Sequence, residues 1–248
     1  ALFANSPFKE GIPSGFQSTR AHVWTDTDPD RCGIPACVFD PNFGYEMWVD
    51  YLLDVPMYFL HRGDDYLDVS GLSFRDFMDG RLPGFEGQYP DIDDFEDHMT
   101  TAFPEVRLKG YLEMRGADSG SWSNICALPA FWVGLLYDEQ SLDEAVELIK
   151  TVGVDDVVKA RVSACRDGLS GMYDSRSMIQ MASACFNIAE AGLKRRAEMD
   201  SAGEDETKYL KPLKKIISEG RTLSDIMLEK YDTSWNGDII NIFREYHY

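Results

Sequence analysis

The chain has 248 residues, 44% of them hydrophobic, with 43 acidic against 24 basic residues and a formal net charge of −19. This length and apolar content are sufficient for a sizeable core in one or two domains. The acidic excess argues against nucleic acid as a partner, because a polyanion is bound by clustered lysines and arginines. No apolar run reaches the roughly 18 residues of a membrane span, so we expect a soluble cytoplasmic protein without a membrane partner.

The first predicted element is a strand over residues 17–26. Phe16, Arg20, His22 and Trp24 fall on alternate positions, and side chains at i and i+2 of a strand share one face. A face that mixes aromatic and charged groups is typical of a sheet that forms the floor of a substrate cavity. A half-exposed edge strand would produce the same pattern and is the alternative.

The loop that follows carries Cys32 and Cys37 on either side of a Gly-x-Pro turn. The five cysteines of the chain show no paired Cys-x-x-Cys spacing with histidines, so the sequence offers no zinc pattern. Free thiols at Cys32 and Cys37 are the default in the cytoplasm, and a disulfide between them is the alternative. Cys165 and Cys185 lie in helical patterns and are expected to be small buried hydrophobes.

Residues 44–53 carry apolar side chains at helical spacing. Pro56 ends that helix, because the residue before a proline disfavours helical backbone. Residues 57–61 then form a short predicted strand that contains Tyr58. Taken alone, a tyrosine in an apolar run indicates core packing.

Two further helices are predicted over residues 73–79 and 91–102. The second opens with an acidic run between Asp91 and Asp97 that has the composition of a metal site. Acidic side chains in a first turn also complement the helix dipole. We therefore interpret the run as the solvated start of a helix.

The most informative stretch is residues 111–118, a predicted strand in which Glu113 and Arg115 are two positions apart. Both side chains should point to the same face. A carboxylate is a potential magnesium ligand, and a guanidinium is a potential phosphate ligand. An ordinary surface ion pair is the competing interpretation.

After Gly120 the sequence becomes mainly helical. Residues 126–137 are almost wholly apolar and predict a buried helix, and Ser141-x-x-Glu144 predicts a capping box that opens the next helix. Further helices are predicted over residues 154–165, 175–197, 206–218, 223–231 and 237–246.

Several separated blocks together resemble one protein family. They are ANSPF at residues 4–8, RAHVWTDTDPDR at 20–31, FGYEMWVDYLLDVPMYF at 43–59, and FPEVRLKGYLEMRGADSGSW from 103, soon followed by NICALPAFWVGLLYDE. In this order they resemble the plant and proteobacterial glutamate-cysteine ligases. The weaker tail, with GLKRR at 192–196, keeps the same register, so the resemblance covers essentially the whole chain.

The resemblance implies an α+β fold. Residues 1–137 would form part of a glutamine-synthetase-like antiparallel catalytic sheet with helices packed outside, and residues 138–248 a mostly helical C-terminal region packed on it. Family members begin upstream of Ala1, so the chain is expected to be a C-terminal portion that lacks the family's N-terminal half. Because that half carries most of the magnesium and ATP ligands, the isolated chain is expected to be inactive.

The implied activity is ATP-dependent ligation of the glutamate γ-carboxylate to the cysteine amine through a γ-glutamyl phosphate, the first step of glutathione biosynthesis. ATP is a substrate and Mg²⁺ the cofactor. The resemblance assigns catalytic roles to Arg115 and Arg20, with Arg20 on the glutamate substrate or its phosphorylated form. Glu113 would be a magnesium ligand, and Trp24 and Tyr58 would line the amino-acid pocket.

Two departures from the family pattern concern cysteines. Where plant members carry a cysteine pair that brackets a hairpin, this chain has Val69 and Gly84. Cys126 matches a regulatory cysteine of the family whose partner lies upstream of residue 1, and we expect it to be reduced. The missing hairpin pair favours a bacterial cytoplasmic protein over a chloroplast protein.

Two other functions stay open. The chain would also suit a non-catalytic regulatory or binding half that pairs with a separate catalytic chain. The third hypothesis is a ligase of the same fold that uses a different acceptor amine, since only the resemblance identifies cysteine as the acceptor.

Overall fold

The computed structural model describes residues 1–246, which form two compact units. Unit 1 consists of Ala1–Val23 together with the described residues from Ala117 onwards, and unit 2 consists of Trp24–Gly116. These units do not coincide with the predicted division after residue 137. The reason is that the helix Trp122–Leu136 packs with helices that follow it in the chain.

About half of the chain is helical, and no described helix is long and apolar enough to cross a membrane. The α-helices are α1 (Thr19–Val23), α2 (Tyr45–Asp54), α3 (Phe74–Met78), α4 (Ile92–Thr100), α5 (Trp122–Leu136), α6 (Glu139–Ile149), α7 (Val154–Asp167), α8 (Met178–Arg196), α9 (Lys211–Glu219), α10 (Leu223–Asp232) and α11 (Asn241–Glu245). The strands are β1 (Phe8–Lys9), β2 (Ile12–Pro13), β3 (Cys32–Gly33), β4 (Phe59–Arg62), β5 (Asp65–Asp68), β6 (Phe103–Pro104), β7 (Val106–Leu108), β8 (Leu112–Met114), β9 (Met172–Tyr173) and β10 (Arg176–Ser177). Short 3-10 helices occupy Ala36–Phe39, Gly168–Ser170 and Glu206–Leu210.

Every sheet in the described part of the chain is a pair of strands. The pairs β1–β2, β4–β5, β7–β8 and β9–β10 are antiparallel, and β3–β6 is parallel. The predicted mixture of helices and sheets is therefore confirmed. The described residues do not themselves form the larger antiparallel sheet that the resemblance implies for residues 1–137.

Unit 2 has its core around α2 and α3. Helix α2 buries Trp48, Leu52 and Leu53, as its apolar spacing predicts. The neighbouring cluster contains Phe74 and Phe77 of α3, both almost fully buried. The helices predicted from residues 44, 73 and 91 are confirmed as α2, α3 and α4.

The acidic run at the start of α4 is a helix cap, as predicted. The Asp91 side chain accepts from the Asp94 backbone N at 3.0 Å, and the Asp94 side chain accepts from the Asp91 N at 3.1 Å. Such a reciprocal cap satisfies donors that a helix N-terminus leaves unpaired. Asp94 also accepts hydrogen bonds from both Nη atoms of Arg62, at 2.5 and 3.0 Å.

The strand predicted over residues 17–26 is wrong, because Thr19–Val23 form helix α1. Ser18 caps this helix by accepting a hydrogen bond from the Ala21 N at 3.1 Å. The Phe16 and His22 rings stack with centroids 3.8 Å apart. Local capping thus outweighs an alternation of only four side chains, which is too short to distinguish strand from helix.

Unit 1 is organised by the close crossing of α5 and α8. Ala127, Phe131, Ala189 and Leu193 are buried in its apolar core, as the apolar pattern of residues 126–137 predicts. A Cβ added at Gly134 would lie 2.3 Å from the Ala189 carbonyl oxygen. Glycine is therefore required for the two backbones to approach this closely.

The predicted capping box at Ser141 and Glu144 is wrong. Helix α6 begins one turn earlier, with Asp138 as the N-cap that accepts from the Ser141 N at 2.9 Å. Ser141 is fully buried, where its hydroxyl donates to the Ile188 carbonyl at 3.1 Å. Asp138 is the better cap here because it also pairs with Arg195 at 2.7 Å.

The remaining helices follow the predicted order with shifted boundaries. The hairpin β9–β10 occupies the residues before α8, which starts at Met178 with a capping box between Ser177 and Gln180. The predicted helix over residues 206–218 begins as a 3-10 helix and continues as α9, with Pro212 in the first turn. Proline is tolerated there because its missing N–H has no helical partner.

All five cysteines are free thiols. The disulfide alternative for Cys32 and Cys37 is therefore not formed in this structure. Cys165 is 3% exposed, as expected of a small buried hydrophobe. Burial raises the pKa of the Cys185 thiol above its ordinary value.

Candidate active site

The candidate active site in unit 2 is built on the antiparallel pair β7–β8. The register of this pair places Arg107 directly opposite Glu113, and cross-strand neighbours on one face are within reach of long side chains. Arg107 Nε donates to Glu113 Oε2 at 2.8 Å, and Arg107 Nη2 lies 2.7 Å from the same oxygen.

Arg107 is held on its other side by backbone. Its Nη1 donates to the carbonyls of Thr100 and Ala102, at 2.5 and 3.1 Å. The Arg107 side chain is only 10% exposed. A guanidinium shared between one carboxylate and two carbonyls has a fixed orientation, because its planar donors point to partners in different directions.

Arg115 approaches the same carboxylate from the end of β8. Arg115 Nη1 donates to Glu113 Oε1 at 2.9 Å, so each Glu113 oxygen accepts from a different guanidinium. The predicted adjacency of Glu113 and Arg115 is therefore confirmed. We refer to Arg107, Glu113 and Arg115 as the guanidinium cluster.

Two positive charges and one negative charge leave the guanidinium cluster with a net positive charge in a chain of net charge −19. Burial by itself raises the pKa of Glu113, but the hydrogen bonds and charges of Arg107 and Arg115 outweigh it and lower the pKa below its ordinary value. Glu113 thus stays ionised, and the cluster can attract an anionic ligand.

Two aromatic rings lie beside Arg115 of the guanidinium cluster. The Arg115 Cζ lies 5.5 Å from the Phe103 ring centroid and 5.9 Å from that of Trp24. The Phe103 centroid is 6.1 Å from the Trp24 ring and 6.4 Å from the Tyr58 ring. Four of the five predicted site residues, Trp24, Tyr58, Glu113 and Arg115, are therefore connected through one phenylalanine within unit 2.

Tyr58 lies just before β4 and has two polar neighbours. Its hydroxyl donates to Asp28 Oδ2 at 3.0 Å, and the Arg31 Cζ stacks 3.4 Å from its ring centroid. Burial and the Asp28 hydrogen bond raise the pKa of the Tyr58 phenol, against the charge of Arg31. Tyr58 thus has polar partners at its hydroxyl and ring, unlike the simple core tyrosine that its apolar run indicates by itself.

The fifth predicted site residue, Arg20, belongs to helix α1 of unit 1. Its backbone N donates to Ser6 Oγ at 3.2 Å, and Ser6 Oγ donates to Asp118 Oδ2 at 2.8 Å. The buried Asp118 carboxylate also accepts from the Asn5 N and from Ser18 Oγ, at 2.8 and 2.9 Å. Asp118 therefore ties the ANSPF segment to the start of α1.

Magnesium does not fit the described residues by themselves. Among residues 1–246 there is no group of three or more histidine, cysteine or acidic side chains placed to hold a metal ion. Both oxygens of Glu113 already accept from guanidinium groups. Mg²⁺ prefers six oxygen ligands in an octahedron, so Glu113 would serve as a ligand only with partners from elsewhere.

The sequence patterns by themselves do not indicate Arg31, Arg107, Asp28 or Phe103, which contact the predicted site residues. For Arg107 a signal was available, since it and Glu113 are equally distant from Gly110 in a short hairpin. Symmetry about a turn glycine predicts a cross-strand pair. For Arg31 the only local partner is Asp28, three residues earlier, and the other two partners, Thr101 and the Met57 carbonyl, come from separate segments of unit 2.

Comparison with known proteins identifies the class of protein to which this chain belongs. The sequence model of Glutamate-cysteine ligase family 2 (GCS2) matches residues 1–245. The chain therefore belongs to the glutamate-cysteine ligase family, as the motif blocks indicate.

Among its relatives is the chloroplastic glutamate–cysteine ligase of Solanum lycopersicum, 46% identical over 248 residues, which cover 100% of this chain and 46% of that protein. The chloroplastic ligase A of Oryza sativa subsp. indica is also 46% identical, over 100% of this chain and 49% of its own length. The chloroplastic ligase of Arabidopsis thaliana is 45% identical over 250 residues, 100% of this chain and 46% of that protein. The chain spans about half the length of these curated relatives.

These relatives correct the expected cellular location. The prediction of a bacterial cytoplasmic protein is wrong, because the similar curated proteins are chloroplastic plant enzymes. That prediction depended on Val69 and Gly84 in place of a cysteine pair. In the structure Val69 is 2% exposed within an apolar cluster, and Gly84 has a φ of 81° that favours glycine. Both residues meet local packing and backbone requirements, which carry no information about compartment.

Proposed function

We propose that this chain supplies part of the active site of an enzyme that ligates glutamate to cysteine at the expense of ATP. Two observations support the proposal: membership of the ligase family over residues 1–245, and the net positive guanidinium cluster beside aromatic residues. The cluster is the observation within the chain that carries the proposal, because this chemistry brings several anionic groups together.

In the proposed reaction the glutamate γ-carboxylate attacks the terminal phosphorus of ATP, and ADP leaves. The cysteine amine then attacks the acyl carbon of the γ-glutamyl phosphate, and inorganic phosphate leaves. Both steps require positioning and neutralisation of negative charge more than covalent help from the protein. Pre-oriented guanidinium groups meet that requirement, since their planar donors match carboxylate and phosphate oxygens.

We assign the roles accordingly. Arg115 contacts the transferring phosphoryl group or the acyl phosphate, and Glu113 with Arg107 holds Arg115 in place. Arg20 contacts glutamate or its phosphorylated form, and Trp24 and Tyr58 line the amino-acid pocket. The fixed geometry of Arg107 supports this division, because a guanidinium already bound to one carboxylate and two carbonyls is suited to a supporting role.

Magnesium and the complete catalytic sheet require residues beyond those described. When bound, Mg²⁺ would neutralise the phosphate oxygens of ATP. We propose that Glu113 becomes one of its ligands only together with carboxylates from the remainder of a full-length enzyme. Likewise, β7–β8 would join further strands there to form a glutamine-synthetase-like sheet, an inference by analogy of fold.

The test compares the isolated 248-residue chain with a full-length enzyme that contains it. We expect the full-length protein to release ADP when both glutamate and cysteine are present. The isolated chain should release negligible ADP. Substantial release by the isolated chain would contradict the requirement for further ligands. A full-length protein that is inactive but stimulates a separate catalytic chain would instead support the non-catalytic alternative, and preference for another acceptor amine would correct the substrate.

A further inference from the structure

The DTDPDR segment at residues 26–31 has no role in the reaction as proposed, yet two of its residues hold Tyr58. Asp28 Oδ2 accepts from the Tyr58 hydroxyl at 3.0 Å and from Arg31 Nε at 3.1 Å. Arg31 also donates through Nη2 to the Met57 carbonyl at 3.1 Å. Tyr58 is therefore constrained at its hydroxyl, at its ring and at the preceding peptide. We call Asp28 and Arg31 the tyrosine clamp.

The burial of Arg31 distinguishes the tyrosine clamp from a surface ion pair. Arg31 is 3% exposed, and an arginine is almost never that buried unless its charge is paired and its donors are satisfied. Its Cζ lies 3.4 Å from the Tyr58 ring centroid, so it covers one face of the ring. A guanidinium placed this way orients the tyrosine and cannot itself serve as a surface charge.

The tyrosine clamp also determines whether the Tyr58 hydroxyl donates or accepts a hydrogen bond towards a ligand. The Asp28 carboxylate, paired with Arg31, can only accept hydrogen bonds, so the phenol proton must point towards it. The phenol oxygen then offers lone pairs, and no proton, to a ligand. Among the polar groups of an amino acid, an amine can donate a hydrogen bond to those lone pairs, whereas an ionised carboxylate can only accept.

Building on the proposed function, we infer that Asp28 and Arg31 are positioning residues that make Tyr58 a hydrogen-bond acceptor for the amine of the acceptor amino acid. Tyr58 thereby recognises the amine rather than the thiol or the carboxylate of cysteine. The tyrosine clamp would place the nucleophilic nitrogen, whereas glutamate and ATP bind independently of it.

The kinetic test uses the full-length enzyme with cysteine, 2-aminobutyrate, which lacks the thiol, and cysteamine, which lacks the carboxylate. Tyr58→Phe and Asp28→Asn should lower kcat/KM by a similar factor for all three amines, about tenfold, as expected for the loss of one hydrogen bond. The KM values for glutamate and ATP should stay unchanged. Tyr66→Phe, at a 69% exposed tyrosine of unit 2, is the matched control.

Three kinetic outcomes would overturn the inference. A fall in kcat/KM for cysteine and cysteamine but not for 2-aminobutyrate would show that Tyr58 binds the thiol. A fall for cysteine and 2-aminobutyrate but not for cysteamine would show that Tyr58 binds the carboxylate. A rise in the KM for glutamate alone would place Tyr58 at the other substrate. A wild-type enzyme without any ligase activity would count against the proposed function, and the clamp would then be judged by the spectroscopic arm.

The spectroscopic arm needs no activity. Tyrosine labelled with ¹³C at Cζ, with Tyr58→Phe to assign the resonance, reports the titration of the Tyr58 phenol. Removing the Asp28 charge by Asp28→Asn should move the Tyr58 titration to lower pH, and Asp30→Asn, an exposed neighbour, should leave it in place. If Asp28→Asn leaves the titration of the Tyr58 phenol at the same pH, the tyrosine clamp is refuted.

Discussion

Arg107 and Glu113 are direct cross-strand partners, and the arginine side chain is three times less exposed than the carboxylate it binds, 10% against 30%. The pair is therefore asymmetric. Loss of Glu113 would leave a nearly buried positive charge without the carboxylate that pairs with it here, whereas loss of Arg107 would leave a carboxylate that still contacts Arg115.

The first prediction follows from that asymmetry. Glu113→Gln should reduce the free energy of unfolding by about 2 to 4 kcal/mol, because breaking a buried pair leaves an uncompensated charge. Urea denaturation of both proteins measures the difference. Asp54→Asn, which breaks the exposed pair with Arg75, is the control and should change stability little. Equal effects of the two substitutions would show that the guanidinium cluster behaves as an ordinary surface pair.

Arg115→Lys tests whether the planar guanidinium matters beyond its charge. In a full-length enzyme we expect turnover to fall by about tenfold or more, since a point charge cannot reproduce two directed donors. The unfolding midpoint should change little, because the lysine keeps its charge beside Glu113. Arg176→Lys, at an exposed arginine of β10, should leave turnover unchanged. Full turnover by Arg115→Lys would assign the arginine a purely structural role.

Glu113→Gln should also alter the pH dependence of stability. The pKa of Glu113 is lower in the folded protein than its ordinary value of 4.5. Its ionisation therefore stabilises the fold fully above pH 4.5, and this contribution is lost as the pH falls through the lower, folded-state pKa. The stability difference between wild type and Glu113→Gln should shrink on acidification. A difference that is constant between neutral and acidic pH would contradict this assignment.

His98 gives a second, separate pH effect near neutrality. It is 4% exposed, stacks on Phe74 at 4.6 Å, and its Nε2 contacts the Leu52 carbonyl oxygen at 2.9 Å. Burial lowers the pKa of His98 below 6.5, helped by the charge of Arg31. Stability is then greatest above pH 6.5 and falls below it, by at most about 1.4 kcal/mol per pH unit.

The measurement for His98 is thermal unfolding between pH 7.5 and 5. His98→Gln should flatten the pH dependence relative to wild type, although it lowers stability overall by removing a packed ring. His61→Gln, at a partly exposed histidine, is the control and should retain the wild-type slope. An unchanged slope in His98→Gln would mean that another group titrates in this range.

The close helix crossing of unit 1 predicts a steric effect. Alanine at Gly192 would place its Cβ 2.0 Å from the Gly134 carbonyl oxygen, so α5 and α8 must separate. We expect Gly192→Ala to cost about 2 kcal/mol or more, as in overpacked cores. Gly153→Ala, whose Cβ would meet only ordinary contacts, is the control. Similar midpoints for both variants in chemical denaturation would disprove the close approach.

Several local features were predictable from the sequence because they depend on neighbours along the chain. The spacing of Trp48, Leu52 and Leu53 predicts α2, and the i to i+2 relation of Glu113 and Arg115 predicts their adjacency. For residues 19–23 the sequence carries two conflicting signals. Alternating side chains favour a strand, whereas Ser18 favours the start of a helix, and the helix α1 is what forms.

The sequence by itself determined the family and most helices, since motif order and hydrophobic period are properties of the linear chain. It also indicated four side chains that are linked through Phe103 in unit 2. Only the tertiary structure decided that Arg107 and Arg31 are the buried arginines that hold Glu113 and Tyr58. The physical reason is that a guanidinium is buried only where distant carbonyls and carboxylates satisfy its donors. Arg31 has Asp28 as a neighbour in the chain, but only folding adds the Met57 carbonyl and the Thr101 hydroxyl.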